Sequence, residues 1–402
     1  MKKMYCQKEY KKQSPLPFFQ KKAKKRTPAP FIKRGGTKRR GIAILILCLF
    51  LLSSCSGMAV NTVSFFTMDT WAESTIITRE AAKGKEVNDK IKEICAEIEN
   101  RISNTVETSE IYQLNEFFKS EYYGLVPFYL SGETAGLLNI AKTIKESTNG
   151  AYDPNLGEII DLWGFSNQNE NVIRKLPDKN DFYPAVERIN TFHFQLNEDK
   201  KGVYYYSSDL ISPPKIDLGG IGKGYATDQI NDYLIEAGIP NALVSFTSSI
   251  LASGRNKVGN LWTVGLKDPL NPDKLCGYIS VNDKFISVSG GYERFITIGN
   301  RDYCHIIDPE TGYPVDNDLL CVVVVMNAQS ALKPNEKFKN NGAISDALST
   351  ALYVMGKEQA LKFYNTSSLD FEMILFVKKD IDDPSAGYDI IPTNVMFTEI
   401  QK

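Results

Sequence analysis

A glycine-rich stretch near the middle of the chain limits the possible folds more than any other feature. Four glycines fall within residues 219–224, between an apolar lead-in and a helical pattern from Tyr225 to Ala237 that Gly238 ends. Because glycine has no side chain, backbone amides there can approach a ligand closely. The order strand, glycine turn and helix N-terminus predicts a cradle for phosphate groups, and Lys223 adds a cation on the same side.

This pattern has a plain alternative. It lacks the Ser or Thr that follows the Lys of a phosphate-binding Walker loop, and its glycine spacing differs from the dinucleotide fingerprint. Taken alone, it is as consistent with a turn that serves packing as with a ligand site. Asp217, at the end of the predicted strand, would repel a phosphate, so we expect it to bond a sugar or base edge or to support a metal.

The N-terminus predicts an export signal. Residues 1–40 carry fifteen Lys or Arg against a single acid, Glu9, and a compact apolar run follows from Gly41 to Leu52. This run is too short for a permanent membrane helix but matches the hydrophobic part of a secretory signal. The segment Leu52–Cys55 resembles a bacterial lipoprotein box, which implies lipid on Cys55. An uncleaved signal anchor with an incidental cysteine is the alternative.

We therefore expect three parts: a basic leader and signal peptide over 1–54, a lipidated tether over 55–62, and a folded domain over 63–402. The protein would be exported and lipid-anchored, on the periplasmic or cell-surface face of a membrane. The leader holds fifteen of 47 basic and one of 48 acidic residues, so the remainder carries 32 and 47. A net charge near −15 disfavours nucleic acid as a partner, because phosphate contacts dominate that affinity.

Cysteine spacing gives no metal motif. Four cysteines remain after the leader and the lipidation candidate, and they could form two disulfides or none. They are Cys95, Cys276, Cys304 and Cys321.

Strands and helices are predicted in no strict alternation, which indicates an α+β fold with mixed or antiparallel sheets packed against helices. Residues 166–190 are polar and Pro-containing, and suggest a surface excursion. The predicted helices are 87–101, 131–148, 225–237 and 346–355, the last capped by Ser345 and stopped by Gly356. The predicted strands are 63–68, 71–78, 192–195, 203–206, 242–245, 261–266, 278–281, 285–289 and 321–326.

Three further groups carry possible chemistry. Trp163 and Phe165 flank Gly164, which gives either an apolar wall for a planar ring system or aromatic core at a bend. His305 ends a strand that enters a tight turn, where it is either a proton acceptor for a hydroxyl nucleophile or a structural turn histidine. Asp346 and Thr350 are four positions apart on a predicted helix, so their oxygens share one face near its N-terminal end.

That pair predicts a hard-oxygen site for Mg²⁺ in partnership with substrate phosphates. A capping role explains Ser345 and Asp346 almost as well, but it does not explain Thr350.

Taken together, these motifs resemble ApbE-type FAD:protein FMN transferases, and the resemblance extends over about residues 63–360. Five motifs carry it in the family's order. They are Tyr152–Pro154 with Leu162–Phe165, Asp217–Gly224, Ser289–Arg294, His305–Gly312 and Asp346–Thr350.

The resemblance implies a single catalytic domain of two closely packed lobes that uses Mg²⁺ and FAD. Such enzymes transfer FMN from FAD to a Thr or Ser hydroxyl of an acceptor protein and release AMP. By motif position, the metal would lie between Asp346, Thr350 and the main-chain carbonyl of Gly220, with His305 as base or proton shuttle. The residues implied around FAD are Met68, Trp163, Gly164, Phe165, Asp217 and Lys223.

The chain departs from the family pattern at two points. Thr247 and Ser248 stand where a Gly-Gly pair is usual, and Asp69 stands where Gly follows the first Met. The two hydroxyl side chains would crowd the cofactor or replace amide contacts with hydroxyl contacts. Two alternatives stay open. Some members of the family chiefly hydrolyse FAD to FMN and AMP, with water in place of the acceptor hydroxyl, and the departure at Thr247 and Ser248 keeps open a flavin-binding lipoprotein without turnover.

Overall fold

The computed structural model describes residues 57–120, 125–166, 174–197, 202–206, 213–329, 339–381 and 383–400. The predicted leader, the signal peptide and Cys55 lie outside these residues. Within them, no helix combines the length and the apolar character needed to cross a bilayer. Cys95, Cys276, Cys304 and Cys321 are all free thiols.

The described residues contain the mixture of strands and helices expected for an α+β protein. The strands are β1 (Ala59–Thr67), β2 (Thr70–Thr78), β3 (Phe128–Tyr129), β4 (His193–Leu196), β5 (Gly202–Tyr206), β6 (Ala242–Ser245), β7 (Ser249–Ser253), β8 (Trp262–Asp268), β9 (Asn271–Val281), β10 (Lys284–Gly290), β11 (Phe295–Ile298), β12 (Arg301–Cys304), β13 (Leu319–Asn327), β14 (Phe371–Lys378), β15 (Tyr388–Pro392) and β16 (Phe397–Glu399). The helices are α1 (Ala81–Ile102), α2 (Glu110–Phe117), α3 (Gly132–Ser147), α4 (Gly157–Trp163), α5 (Lys179–Thr191), α6 (Gly219–Glu236) and α7 (Asn341–Thr366).

An eight-stranded sheet organises the fold, in the order β1-β2-β6-β7-β10-β13-β14-β15. Every neighbouring pair in it is antiparallel. Three smaller sheets accompany it, formed by β16-β9-β8, by β3-β5-β4 and by β11-β12. The first strand begins at Ala59, four residues before the predicted start at Val63, because residues 59–62 pair with β2.

The valine run of β13 shows why the sheet is covered on both faces. Val322 and Val324 are buried in one cluster with Leu348 of α7. Val323 points the other way and packs in a second cluster with Ile279 of β9. Alternate side chains of a strand face opposite sides of a sheet, so a strand that is apolar throughout must be covered twice. Helices therefore cover one face of the main sheet and the β16-β9-β8 sheet covers the other.

Three predicted helix starts were wrong. Helix α1 begins at Ala81 instead of Val87. The other two errors concern the candidate site. Helix α6 begins at Gly219 instead of Tyr225, so the glycines lie in its first two turns and not in a turn before it. Helix α7 begins at Asn341 instead of Asp346, so Ser345 lies inside the helix and does not cap it. Gly356 leaves helical geometry, with φ 74°, but the helix resumes and continues to Thr366.

The prediction of a polar excursion over residues 166–190 was also wrong in part. Helix α5 begins within this region, and Asp178 caps it by accepting from the backbone N–H of Asn180. It buries Phe182 and Ile189 against the core. Pro184 obscured the helical pattern, because proline is disfavoured inside helices.

Candidate active site

One cavity of about 520 Å³ gathers most of the candidate residues. Eight of the ten candidates within the described residues line it, and Trp163 and Gly164 do not. The eight are Met68, Phe165, Asp217, Gly220, Lys223, His305, Asp346 and Thr350. A larger cavity of about 1270 Å³ lies beside α3, the end of α7 and the Asp308–Glu310 turn, and it contains none of the ten. The smaller cavity is therefore the candidate active site.

The contact between α6 and α7 builds the oxygen-rich corner of this cavity. The carboxylate of Asp346 accepts from the backbone N–H of Gly224 and from the hydroxyl of Ser249, each at 2.9 Å. In a regular helix the N–H of Gly224 would bond the carbonyl of Gly220, four residues earlier. The Asp346 carboxylate therefore competes with the Gly220 carbonyl for the Gly224 N–H. This competition leaves the Gly220 carbonyl oxygen more able to accept another ligand.

Glycine permits this approach of the two helices. A Cβ on Gly224 would lie 2.1 Å from the carbonyl oxygen of Gly342, and one on Gly342 would lie 2.5 Å from the carbonyl oxygen of Gly224. These two glycines therefore place the backbones in direct contact and bring Asp346 against the first turns of α6.

Thr350 completes the corner one turn further along α7. Its hydroxyl lies 3.3 Å from the hydroxyl of Ser289 on β10. It is also 3.8 Å from the point that a Cβ on Gly220 would occupy. Carboxylate, hydroxyl and carbonyl oxygens are the donor types that Mg²⁺ accepts, commonly with one or two carboxylates and substrate phosphates. The donor set thus fits Mg²⁺, although no group of three His, Cys, Asp or Glu side chains among the described residues could hold a metal alone.

A row of buried serines fixes α7 on the sheet beneath the site. Ser287 and Ser289 of β10 contact Ser345 and Ser349 of α7, and each hydroxyl pair is 2.8 Å apart. Ser345, predicted as a helix cap, instead donates to the carbonyl of Gly342 inside the helix. The row positions the helix that carries Asp346 and Thr350.

His305 is arranged to accept a proton. Its Nδ1 lies 3.0 Å from the carbonyl oxygen of Arg294. Since a carbonyl can only accept, Nδ1 carries the hydrogen and Nε2 keeps its lone pair in the neutral ring. The pKa of His305 is lowered to about 4, mainly by burial and also by the positive charges of Arg294 and Lys223, while the hydrogen bond to the Arg294 carbonyl acts in the opposite direction. The ring is therefore neutral at pH 7.

Asp217 lies at the N-terminus of α6, preceded by irregular backbone and not by the predicted strand. Its carboxylate accepts from the backbone N–H of Gly219 at 2.6 Å and from the side-chain amide of Asn104. Burial raises the pKa of Asp217 above its ordinary value, partly offset by the Gly219 bond. Lys223 lies on the same rim, with its Nζ 3.4 Å from the carbonyl oxygen of Gly219.

The turn between β1 and β2 forms another wall. Met68 and Asp69 have φ of 50° and 57°. Two consecutive left-handed residues are the geometry of a tight hairpin whose twist matches its strands. The N–H of Met68 bonds Glu99 of α1 at 3.3 Å, which holds the turn against the cavity.

The aromatic wall is only partly in the cavity. Phe165 lines it, whereas Trp163 is 2% exposed and donates from its indole nitrogen to the carbonyl of Gly312 at 2.9 Å. Trp163 stacks on Phe165 with ring centroids 6.5 Å apart. Gly164, with φ 77°, ends α4 in the left-handed conformation. In this structure Trp163 supports the cavity wall from behind, and the ligand roles implied for Trp163 and Gly164 stay predictions.

The sequence profile of the ApbE family matches residues 68–375 of this chain. The chain belongs to the ApbE family. FAD:protein FMN transferases of Salmonella typhimurium and Escherichia coli are 25% and 26% identical to it over 342 and 310 residues. These matches cover 83% and 77% of this chain, and 91% and 82% of the relatives.

Solved structures agree on the fold. The flavin transferase ApbE from Vibrio cholerae is similar with a TM-score of 0.66 at 23% identity, covering 84% of this chain and 98% of that one. The ApbE protein from Thermotoga maritima gives 0.67 at 24% identity, covering 84% and 97%. The predicted α+β fold is thereby confirmed.

Two lining residues of this ApbE protein had no role in the sequence analysis. Glu293 belongs to the motif Ser289–Arg294. The pKa of its carboxyl is raised to about 7, mainly by burial, with Lys223 and Lys267 opposing the shift and Asp346 adding to it. Tyr152 belongs to the motif Tyr152–Pro154 and is 4% exposed. Both were quoted as parts of motifs, and only the folded arrangement shows that they reach the cavity.

The departure at Thr247 has a structural consequence in this ApbE protein. Thr247 has φ 66°, a conformation that β-branched residues rarely adopt. Its hydroxyl donates to the carbonyl of Trp71 at 3.2 Å and accepts from Thr70 at 3.3 Å. Thr247 and Ser248 both line the cavity. The strained residue thus ties the β6–β7 turn to the β1–β2 hairpin at the cavity rim.

Proposed function

We propose that this ApbE family member is a Mg²⁺-dependent FAD:protein FMN transferase. It would move FMN from FAD to a Thr or Ser hydroxyl of an acceptor protein and release AMP. Relatives that share 25–26% of aligned residues carry this enzyme name. The observation that carries the proposal is the meeting of Asp346, Thr350 and Gly220 with His305 in one cavity.

The metal would bind Asp346, the Thr350 hydroxyl and the Gly220 carbonyl. When bound, Mg²⁺ supplies positive charge that neutralises the diphosphate and stabilises the departing AMP. The hydrogen bonds from Gly224 and Ser249 fix the orientation of the Asp346 carboxylate. Such outer contacts are how proteins orient a ligand to a metal.

The remaining groups have separate tasks. Nε2 of His305 accepts the proton of the acceptor hydroxyl as its oxygen attacks the phosphorus of the FMN half. A new phosphorus–oxygen bond to Thr or Ser forms, and the bond from that phosphorus to the bridging oxygen breaks, so that AMP leaves. Lys223 supplies positive charge near the diphosphate, while Met68, Phe165 and Asp217 would bind the flavin and ribityl part.

We also propose that the chain works at a membrane surface. Its apolar run and lipoprotein-like segment favour export and a lipid anchor on Cys55. The first strand begins at Ala59, so a lipidated Cys55 would hold the domain close to the bilayer. Labelling with a radioactive fatty acid, with Cys55→Ser as control, tests this part of the proposal.

Mass spectrometry of a single incubation tests the proposed chemistry. The purified domain is mixed with FAD, Mg²⁺ and a candidate acceptor protein from the same organism, and the acceptor and the nucleotides are both analysed. An FMN adduct on a Thr or Ser with an equal amount of AMP supports transfer. Free FMN and AMP without adduct would indicate hydrolysis, and unchanged FAD would indicate binding alone. Omission of Mg²⁺ tests the metal requirement.

A further inference from the structure

The hydroxyl of Tyr152 is a buried polar group without a hydrogen-bond partner among the described residues. Tyr152 is 4% exposed, so bulk water does not satisfy the group either. An unsatisfied buried donor or acceptor costs about 1–3 kcal/mol, and native proteins tolerate few of them. Such a group calls for a ligand that this chain alone does not supply.

Its position indicates where that ligand binds. Tyr152 lines the candidate active site. Its Cε2 is 3.3 Å from the point that a Cβ on Gly220 would occupy, and the Thr350 hydroxyl is 3.8 Å from the same point. The ring atom that carries the phenolic oxygen is bonded to Cε2. The phenol ring and the Thr350 hydroxyl therefore both lie beside Gly220.

The charges around the phenol select the kind of ligand. The carboxylates of Asp217, Asp346 and Asp153 all act on Tyr152, and burial together with these charges keeps the phenol neutral by raising its pKa. A bare anion would be repelled by these carboxylates. A cation and its water molecules would be attracted, and a metal-bound water is a strong hydrogen-bond donor to a neutral phenolic oxygen.

From this geometry we infer that the Tyr152 hydroxyl hydrogen-bonds a water molecule of a divalent cation held by Asp346, Thr350 and Gly220. Tyr152 is thus a positioning residue for the metal. The inference depends on one part of the proposed function, the metal site formed by Asp346, Thr350 and Gly220. It adds Tyr152 to that site as a fourth protein group.

Tyr152→Phe tests the inference because it removes one oxygen and leaves the ring. Tyr353→Phe is the matched control: Tyr353 is also buried, but its hydroxyl has a partner in the backbone of Gly291 and it does not line the cavity. Mn²⁺ serves as the probe in the absence of FAD, because it takes the same oxygen ligands as Mg²⁺. Free Mn²⁺ is followed by electron paramagnetic resonance, and thermal unfolding is measured in EDTA.

The two variants should move in opposite directions. Tyr152→Phe should weaken Mn²⁺ binding by roughly tenfold, which is the lower end of the loss measured when a group that contacts a metal's ligands is removed. Its Tm in EDTA should be unchanged or higher. Tyr353→Phe should lower the Tm, because it removes a hydrogen bond that is present in the folded protein. Its Mn²⁺ affinity should stay within about twofold of the wild-type value, because that hydrogen bond lies away from the metal.

Three results would overturn the inference. The first is wild-type Mn²⁺ affinity in Tyr152→Phe. The second is a fall in Tm in EDTA as large as that of Tyr353→Phe, which would show that the phenol is already satisfied. The third is weaker FAD binding in EDTA with unchanged Mn²⁺ binding, which would assign the phenol to the nucleotide. Failure of the proposed function looks different: the wild-type protein would bind no Mn²⁺ and transfer no FMN, and both proposals would then fall.

Discussion

The carboxylate of Asp346 accepts a hydrogen bond from the backbone N–H of Gly224, 122 residues earlier in the chain, at 2.9 Å. This contact joins the acid of the candidate metal site to the glycine stretch that was expected to hold a phosphate. The two motifs are therefore one structure, in which α7 supplies the acid and α6 supplies the donor that orients it.

Gly224→Ala should disrupt this junction. The added Cβ would lie 2.1 Å from the carbonyl oxygen of Gly342, so the helices must separate. We expect the free energy of unfolding to fall by roughly 2–3 kcal/mol or more, as for severe overpacking. Urea denaturation measures the change. Gly136→Ala, on the exposed face of α3 with open space around it, is the control and should gain up to about 1 kcal/mol. Equal stability of the two variants would contradict the close approach.

Asp346→Ala should abolish metal-dependent activity and should also destabilise the fold. Its removal leaves the Gly224 N–H and the Ser249 hydroxyl without their acceptor, at about 1–3 kcal/mol for each buried group. Asp346→Asn keeps one acceptor oxygen and should fold better while still losing metal binding. Isothermal calorimetry and urea denaturation separate the two effects, and full activity in Asp346→Asn would remove the metal assignment.

His305→Gln should lose transfer while FAD still binds. A positioned general base contributes roughly 10²–10⁴-fold, which sets the expected fall in kcat. The ring must be neutral to accept a proton, and burial places its pKa at about 4. On the acid side of its pH profile, kcat/KM of the wild-type enzyme for FAD should therefore decline as the pH falls through about 4, well below the ordinary histidine range. A decline centred on the ordinary value near 6.5 would show that His305 is not the free base in this form.

Glu293 should make FAD affinity depend on pH near neutrality. Burial raises the pKa of its carboxyl to about 7, so the group is mostly neutral below this pH and negative above it. A negative charge in the cavity repels the diphosphate, so the Kd for FAD should rise as the pH increases from about 6 to 8. Flavin fluorescence at constant ionic strength measures the Kd. Glu293→Gln should remove the dependence, and a flat wild-type profile would contradict the expectation.

Thr247 offers a test of backbone strain. A left-handed conformation costs a non-glycine residue roughly 1–2 kcal/mol, and Thr247 has φ 66°. Thr247→Gly removes that strain together with the two hydroxyl contacts, whereas Thr247→Val removes the contacts and keeps the strain. We expect the Gly variant to be more stable than the Val variant by about 1–2 kcal/mol in urea denaturation. A Val variant as stable as the Gly variant would show that the turn is relaxed.

Most of the predicted site residues that line the cavity belong to local motifs in the sequence. Asp217, Lys223, His305, Asp346 and Thr350 follow from short patterns, and the structure brings all five into one cavity. Their placement inside helices could not be read in the same way. Glycines disfavour helix in isolation, so the start of α6 at Gly219 depends on contacts with α7 that lie far along the chain.

Trp163 and Ser345 illustrate the limits of local patterns. Beside Gly164 and Phe165, Trp163 was consistent with either a wall for a planar ring system or aromatic core at a bend, and the structure shows its indole bonded to Gly312 with the ring buried in core. Ser345 before Asp346 suggested a helix cap, but the helix had already begun at Asn341. In each case a partner distant in sequence decides the outcome.

The start of α7 has its own distant partner, with a consequence for how the site forms. The carboxylate of Asp228 on α6 accepts from the backbone N–H groups of Gly342 and Ala343, at 2.8 and 2.7 Å. Asn340, the residue before the helix, provides no side-chain cap. The N–H groups of Gly342 and Ala343 therefore find their protein acceptor only when α6 is docked. Assembly of the metal corner must wait for this long-range meeting, and a fragment that lacks either helix would have no organised centre to load.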